Sequence, residues 1–317
     1  MKLGILLTIA LLGWSPAARA VVVLSGSSNT SAPGGQPYFN NVGVVNGASG
    51  IYLGNRWVLS AAHVAGTLPA AATFGGINYS TVSGSYQRLH NPGGYTSLTD
   101  LALFRLTTDP LLPTVSIATS SPTMGADVMM IGRGRDQAAS ITYWDVTVNP
   151  GDANDVWTPV AAGGHDREGY QTLGSRTIRW GENDVATIGQ VFNYTFNSET
   201  VDVFSFTTSY DLGAKIHEAQ AVAGDSGGAV FVDNGGTWSL NGVMLTVLLY
   251  ETQPDGNRTA VIGNETVMAD LSVYRSEILS ITAIPEPGSA VLCLFGVSVL
   301  LVIRRRGSAL LHPGQNP

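Results

Sequence analysis

The chain has 317 residues, of which 44% are hydrophobic and only 12% charged, with 38 glycines and a net charge of −7. Abundant glycine with recurrent Thr, Val and Ser favours short strands and tight turns over long amphipathic helices. Setting aside five basic residues and one acid in the two terminal segments leaves 11 basic against 22 acidic residues, a net −11 that argues against nucleic acid as a partner.

The N-terminus reads Lys2, an apolar run from Leu3 to Trp14, then Ser15-Pro16-Ala17-Ala18-Arg19-Ala20. Small residues at Ala18 and Ala20 suit signal peptidase, so residues 1–20 are expected to be a signal peptide whose removal exposes Val21. The roughly 260 residues that follow suffice for one large all-β domain or two fused barrels. Val44-Val45, Ile51-Tyr52-Leu53 and Trp57-Val58-Leu59-Ser60 predict three strands joined by turns, with His63 just beyond the last. Leu101 to Leu106 and Val128 to Ile131 predict two more. Ala229 to Val232 and Trp238 to Leu245 flank Asp233-Asn234-Gly235-Gly236, a hairpin signal just after Ser226.

Gly132 to Asn183, rich in Gly, Asp, Asn and Arg with isolated Trp144, Trp157 and Trp180, is expected to be linker and surface loops. One helix is predicted late, where Leu271, Tyr274, Ile278 and Leu279 recur at helical spacing after an Asp270 cap. The only cysteine, Cys293, lies in the final segment, so the body at 21–283 has no disulfide and no cysteine metal site. His90, His165, His217 and His312 lack metal-ligand spacing, and Asp152, Asn154 and Asp155 lack the rest of a calcium loop. No metal or cofactor is expected.

Ile284-Pro285-Glu286-Pro287-Gly288, the apolar stretch Ala290 to Ile303, and Arg304-Arg305-Arg306 resemble the PEP-CTERM sorting signal of exported bacterial proteins. Fourteen apolar residues are short against the ~20 of a spanning helix, unless flanking residues and arginine stems extend them. The resemblance implies that residues 284–317 form a sorting tail with transient membrane association, arginines on the cytoplasmic side, and removal by an exosortase-type enzyme. A plain hydrophobic anchor is the alternative.

Leu59-Ser60-Ala61-Ala62-His63, Thr99-Asp100-Leu101-Ala102-Leu103 and Ala223-Gly224-Asp225-Ser226-Gly227-Gly228 resemble the three triad segments of trypsin-like serine proteases. Their chain order, His then Asp then Ser, differs from the orders of subtilisin-like enzymes and α/β-hydrolases. A serine hydroxyl is a weak nucleophile that needs a neighbouring imidazole to take its proton, and the imidazole needs a carboxylate to fix its tautomer. The resemblance implies an all-β chymotrypsin-like fold of two six-stranded antiparallel barrels with a C-terminal helix. It implies Ser226 as nucleophile, His63 as base, Asp100 as orienting carboxylate, and the Gly224 and Ser226 amides as oxyanion hole.

Asp225, in the same family, pairs with the free amino terminus and supports the oxyanion loop. Val21 is the expected partner, 42 positions before His63, although Val21-Val22-Val23-Leu24 departs from the family's Ile-Val-Gly-Gly start. Gln220 stands where relatives that cut after Lys or Arg carry Asp, which disfavours a basic-residue preference. Leu245, Thr246 and Val247, replacing the usual Ser-Trp-Gly, are expected to wall a small or apolar pocket. The function implied is an exported serine endopeptidase acting on proteins or peptides, placed in the cell envelope or outside it. The alternative is a catalytically silent protease-fold binding module at the cell surface.

Overall fold

The computed structural model describes residues 21–24, 29–149, 155–213 and 215–283. The expected signal peptide, the sorting tail, and Asp152 and Asn154 lie outside them. β1 (Val22–Val23) opens the described chain. The first half then forms β2 (Val42–Val45), β3 (Ala48–Gly54), β4 (Trp57–Ala61), a single helical turn α1 (Ala62–Ala65), β5 (Ala71–Phe74), β6 (Ile77–Ser80), β7 (Gln87–His90) and β8 (Leu98–Arg105). These make one antiparallel sheet in the order β6-β5-β2-β3-β4-β8-β7. It has seven strands where six were expected. β7, reading Gln-Arg-Leu-His, has one buried residue and no apolar run to announce it.

The second half contains β9 (Asp127–Gly132), β10 (Arg135–Gln137), β11 (Thr142–Thr147), β12 (Val156–Val160), β13 (Arg167–Arg176), β14 (Arg179–Phe196), β15 (Glu199–Ser209), β16 (Ala219–Gln220), β17 (Ala229–Asp233), β18 (Trp238–Leu248), β19 (Thr259–Val261), β20 (Glu265–Asp270) and helix α2 (Leu271–Thr282). Six of these strands close a barrel in the order β14-β15-β20-β18-β17-β9. The region expected to be loops instead carries β10 to β13 and the start of β14. β10, β13, β11 and β12 form a further sheet that β19 joins through β13. β11 and β12 are mostly exposed or half exposed, so they lack the buried alternation that marks a strand in sequence. Trp144 is the exception, fully buried and edge-on to Trp157.

One apolar cluster joins the two halves: Ile51, Leu59 and Leu103 from the first pack with Ile131, Phe231 and Val243 from the second. Each such side chain contributes about 1.5–3 kcal/mol on burial. Helix α2 closes the cluster with Leu271, Tyr274 and Ile278. Its N-terminus is capped as expected, the Asp270 carboxylate accepting from the Ser272 amide at 3.0 Å. The fold is chymotrypsin-like and all-β, with a C-terminal helix.

β14, the longest strand among the described residues, forms a hairpin with β15. It turns at Asn197 and Ser198, both at positive φ (+47° and +66°), the two-residue geometry that matches strand twist. Irregular register between Val185 and Gln190, with Gly189 at φ +67°, bends it. Its far end is tied to the first sheet. Arg88 of β7 pairs with Glu199 at 2.9 Å and lies over the Phe196 ring. The Asn91 side chain donates to the Asp202 carbonyl, and the Thr96 amide to the Asp202 carboxylate, both at 2.8 Å.

Candidate active site

Antiparallel pairing of β4 with β8 sets Ala61 opposite Leu101, so the next residues outward, His63 on α1 and Asp100 on β8, meet at the strand ends. The fully buried Asp100 carboxylate accepts from the His63 amide at 2.8 Å through Oδ1 and lies 2.5 Å from His63 Nδ1 through Oδ2. A carboxylate on Nδ1 leaves Nε2 as the ring's free base. A third donor reaches the same carboxylate: the Tyr194 hydroxyl, from β14, donates to Oδ2 at 2.6 Å.

Ser226 sits in the loop between β16 and β17. β3 holds that loop through Ser49, whose amide donates to the Ser226 carbonyl at 3.1 Å and whose hydroxyl donates to the Gly224 carbonyl at 3.0 Å. Gly227, at φ +83°, has no room for a side chain: a Cβ would stand 2.2 Å from the Ser49 carbonyl oxygen. The Asp225, Gly227 and Gly228 amides donate to the Val222, Met244 and Asp225 carbonyls. Among the described residues the Gly224 and Ser226 amides have no such acceptor, and Gly224 holds φ +104°. The loop thus presents two amide donors beside the serine, as an oxyanion requires. The Ser226 hydroxyl itself donates to the Leu245 carbonyl at 3.1 Å.

One cleft brings His63 and Ser226 together with Ala221, Val222, Ala223, Leu245, Thr246 and Val247, and with Tyr194 and Phe196 from the long hairpin. Gln220 does not line it. That side chain is buried behind the cleft, where its amide nitrogen donates to Asn264 Oδ1 at 3.3 Å. Beside it, the Ala221 amide donates to the Thr266 hydroxyl at 3.1 Å. Apart from His63, Tyr194, Ser226 and Thr246, the residues that line the cleft are small or apolar. Among the described residues no group of three or more His, Cys, Asp or Glu is placed to hold a metal ion.

Asp225 is fully buried, and burial pushes its carboxyl up to about 7. The Val222 and Gly134 amides, donating at 2.9 and 2.6 Å, pull the other way, as do the Arg176 charge and the Val21 amide. Val21 itself is 0% exposed, and the strand it opens pairs Val22 with Gln220 and Val23 with Ala219.

Glu218, next to that strand, is also buried, and desolvation raises its carboxyl from 4.5 to about 7. Among the described residues its Oε2 has no hydrogen-bond partner. The native chain therefore binds this proton where the unfolded chain has released it, so its stabilising contribution is complete below about 4.5 and lost as pH rises through about 7. Glu218→Gln is expected to flatten that loss and to raise stability at pH 8 by about 1 kcal/mol, read from Tm against pH in both proteins.

The sequence motifs pointed to His63, Asp100 and Ser226 but not to Tyr194, Phe196 or Ser49. Tyr194 and Phe196 lie far from the motifs along the chain, and Ser49, ten positions before the first motif, meets the distant Ser226 loop only through the fold.

Comparison with curated proteins finds no match. Among solved structures, the chain is similar to a mutant of human heparin binding protein (CAP37), at 14% identity over 82% of this chain and 98% of that one, with a TM-score of 0.48. Kallikrein-related peptidase 10 aligns at 15% identity over 79% and 98%, with a TM-score of 0.44. The active form of the Rv3671c protease from M. tuberculosis aligns at 13% over 90% and 96%, with a TM-score of 0.43. The family model described as Trypsin matches residues 26–154, the stretch that carries His63 and Asp100.

Proposed function

We propose that the protein is an exported serine endopeptidase. The observation that carries this reading is the His63–Asp100 pair at 2.5 Å opening onto the same cleft as Ser226, whose loop offers two uncommitted amides. The Trypsin family match over residues 26–154 supports it. Ser226 Oγ turns from the Leu245 carbonyl to His63 Nε2, gives up its proton there, and attacks the scissile carbonyl carbon. The oxyanion is held by the Gly224 and Ser226 amides, and the imidazolium by Asp100. His63 then protonates the leaving amine, and water, activated by the same ring, releases the acyl group from Ser226.

The cleft lining supports cleavage after small or apolar residues, since among the described residues no carboxylate lines it to receive Lys or Arg. Residues 1–20 and 284–317 support export by signal peptidase, transient membrane association and exosortase-type processing, with delivery to the cell envelope or beyond. No helix among the described residues is long and apolar enough to cross a membrane.

A fluorophosphonate probe applied to the processed wild type and to Ser226→Ala tests the reading. Labelling of the wild type alone is expected, together with cleavage of library peptides after small apolar residues. An unlabelled wild type would instead favour a silent protease-fold binding module at the cell surface.

A further inference from the structure

The geometry points to Tyr194 as a positioning residue of the triad, its hydroxyl fixing the Asp100 carboxylate that orients His63. This inference deepens the proteolytic reading above and rests on it. Asp100 Oδ2 receives two donors at once, His63 Nδ1 at 2.5 Å and the Tyr194 hydroxyl at 2.6 Å, while Oδ1 receives the His63 amide. With Oδ1 held by backbone, the phenol is the donor besides His63 itself that sets where Oδ2 points. Burial and the Asp100 charge push the Tyr194 hydroxyl far above its ordinary value, which keeps it protonated and a donor.

The long hairpin exists in a form that delivers this hydroxyl. Tyr194 pairs with Val201 across it, and strand alternation turns Tyr194 and Phe196 inward while Thr195 is exposed. Phe196 stands beside the His63 ring at 5.9 Å between centroids. The Arg88–Glu199 pair and the Asn91, Thr96 and Asp202 contacts moor the hairpin end to the loops around Asp100. Two segments 94 positions apart in sequence are thereby held at hydrogen-bond distance. The other titratable groups facing the pair are Tyr86, Arg88, Glu199 and Tyr274, and none is altered by removing one oxygen from Tyr194.

Tyr194→Phe removes that oxygen and keeps the ring. Hydrogen bonds to charged groups are worth enough that kcat is expected to fall about tenfold or more, with KM unchanged. The acidic limb of kcat/KM is expected to move to higher pH, because a carboxylate stripped of one donor attracts the imidazolium more strongly. The downfield proton resonance of His63 Nδ1–H, which needs no turnover, is expected to shift in the same variant. Thr195→Val, on the outward face of the hairpin, is expected to leave kcat, the pH profile and the resonance unchanged. A Tyr194→Phe protein with wild-type kcat, pH limb and resonance overturns the inference, as does a loss confined to KM or matched by a falling Tm. If the wild type takes no fluorophosphonate, the proteolytic reading fails separately, and the resonance still decides whether Tyr194 sets the Asp100–His63 pair.

Discussion

Ser226→Ala and His63→Ala are each expected to lower kcat for peptide cleavage by about 10⁶, and the double variant by no more than either alone. The equality follows from the division of labour in the cleft. Without the imidazole the Ser226 hydroxyl has no acceptor for its proton except the Leu245 carbonyl, to which it already donates at 3.1 Å and which is no base. Without the hydroxyl the imidazole has nothing to activate but water. Asp100→Asn is expected to cost less, about 10⁴, because it leaves the ring in place and disturbs only its tautomer and charge. All three variants should keep the oxyanion amides and so retain peptide binding. Single-turnover assays read the effects. Independent, multiplicative losses at Ser226 and His63 would mean that the two do not act as one unit, and the proposed mechanism would fall.

The parts of this site that are local in sequence were legible there. His63 follows a strand whose apolar run is plain, Asp100 opens another, and the Gly-Asp-Ser-Gly-Gly segment requires backbone angles that only glycine adopts readily, as φ +104° at Gly224 and +83° at Gly227 show. The direction of the Gln220 side chain, which does not line the cleft, is not revealed by its position in sequence. It points instead to Asn264, 44 positions on. Tyr194 was invisible for a related reason: its partner Asp100 meets it only because a bent hairpin of two long strands crosses to the other half of the molecule. The strands between Gly132 and Asn183 escaped notice because half-exposed strands rich in Gly and polar residues lack periodicity.

Any protein retaining residues ahead of Val21 is expected to be about 10²–10³-fold less active than the chain beginning there, and Asp225→Asn in the processed chain to lose as much, because breaking a buried ion pair costs about 3–5 kcal/mol. In the unprocessed chain the buried Asp225 carboxyl stands at about 7, with the neutral Val21 amide as one of its weaker sources of relief. If the chain is cut after Ala20 as proposed, that amide becomes an ammonium at the same place, which would favour the carboxylate and steady the loop from Gly224 to Ser226 that offers the two uncommitted amides. Val21 also holds φ +34°, an unfavourable angle for a β-branched residue. Cutting the preceding peptide bond would remove that torsion, so such processing would relieve strain as it created charge. The α-ammonium, raised by its partner, contributes fully below its ordinary value of about 8 and is lost as pH rises through its value in the pair. Activity of the processed enzyme should therefore fall reversibly at alkaline pH, and acetylation of the terminus should abolish it at neutral pH. Mass spectrometry of the protein purified from its host identifies its first residue; full activity with a terminus well away from Val21 would separate the oxyanion loop from the amino terminus and leave Asp225 to be held by the Val222, Gly134 and Val21 amides and the Arg176 charge.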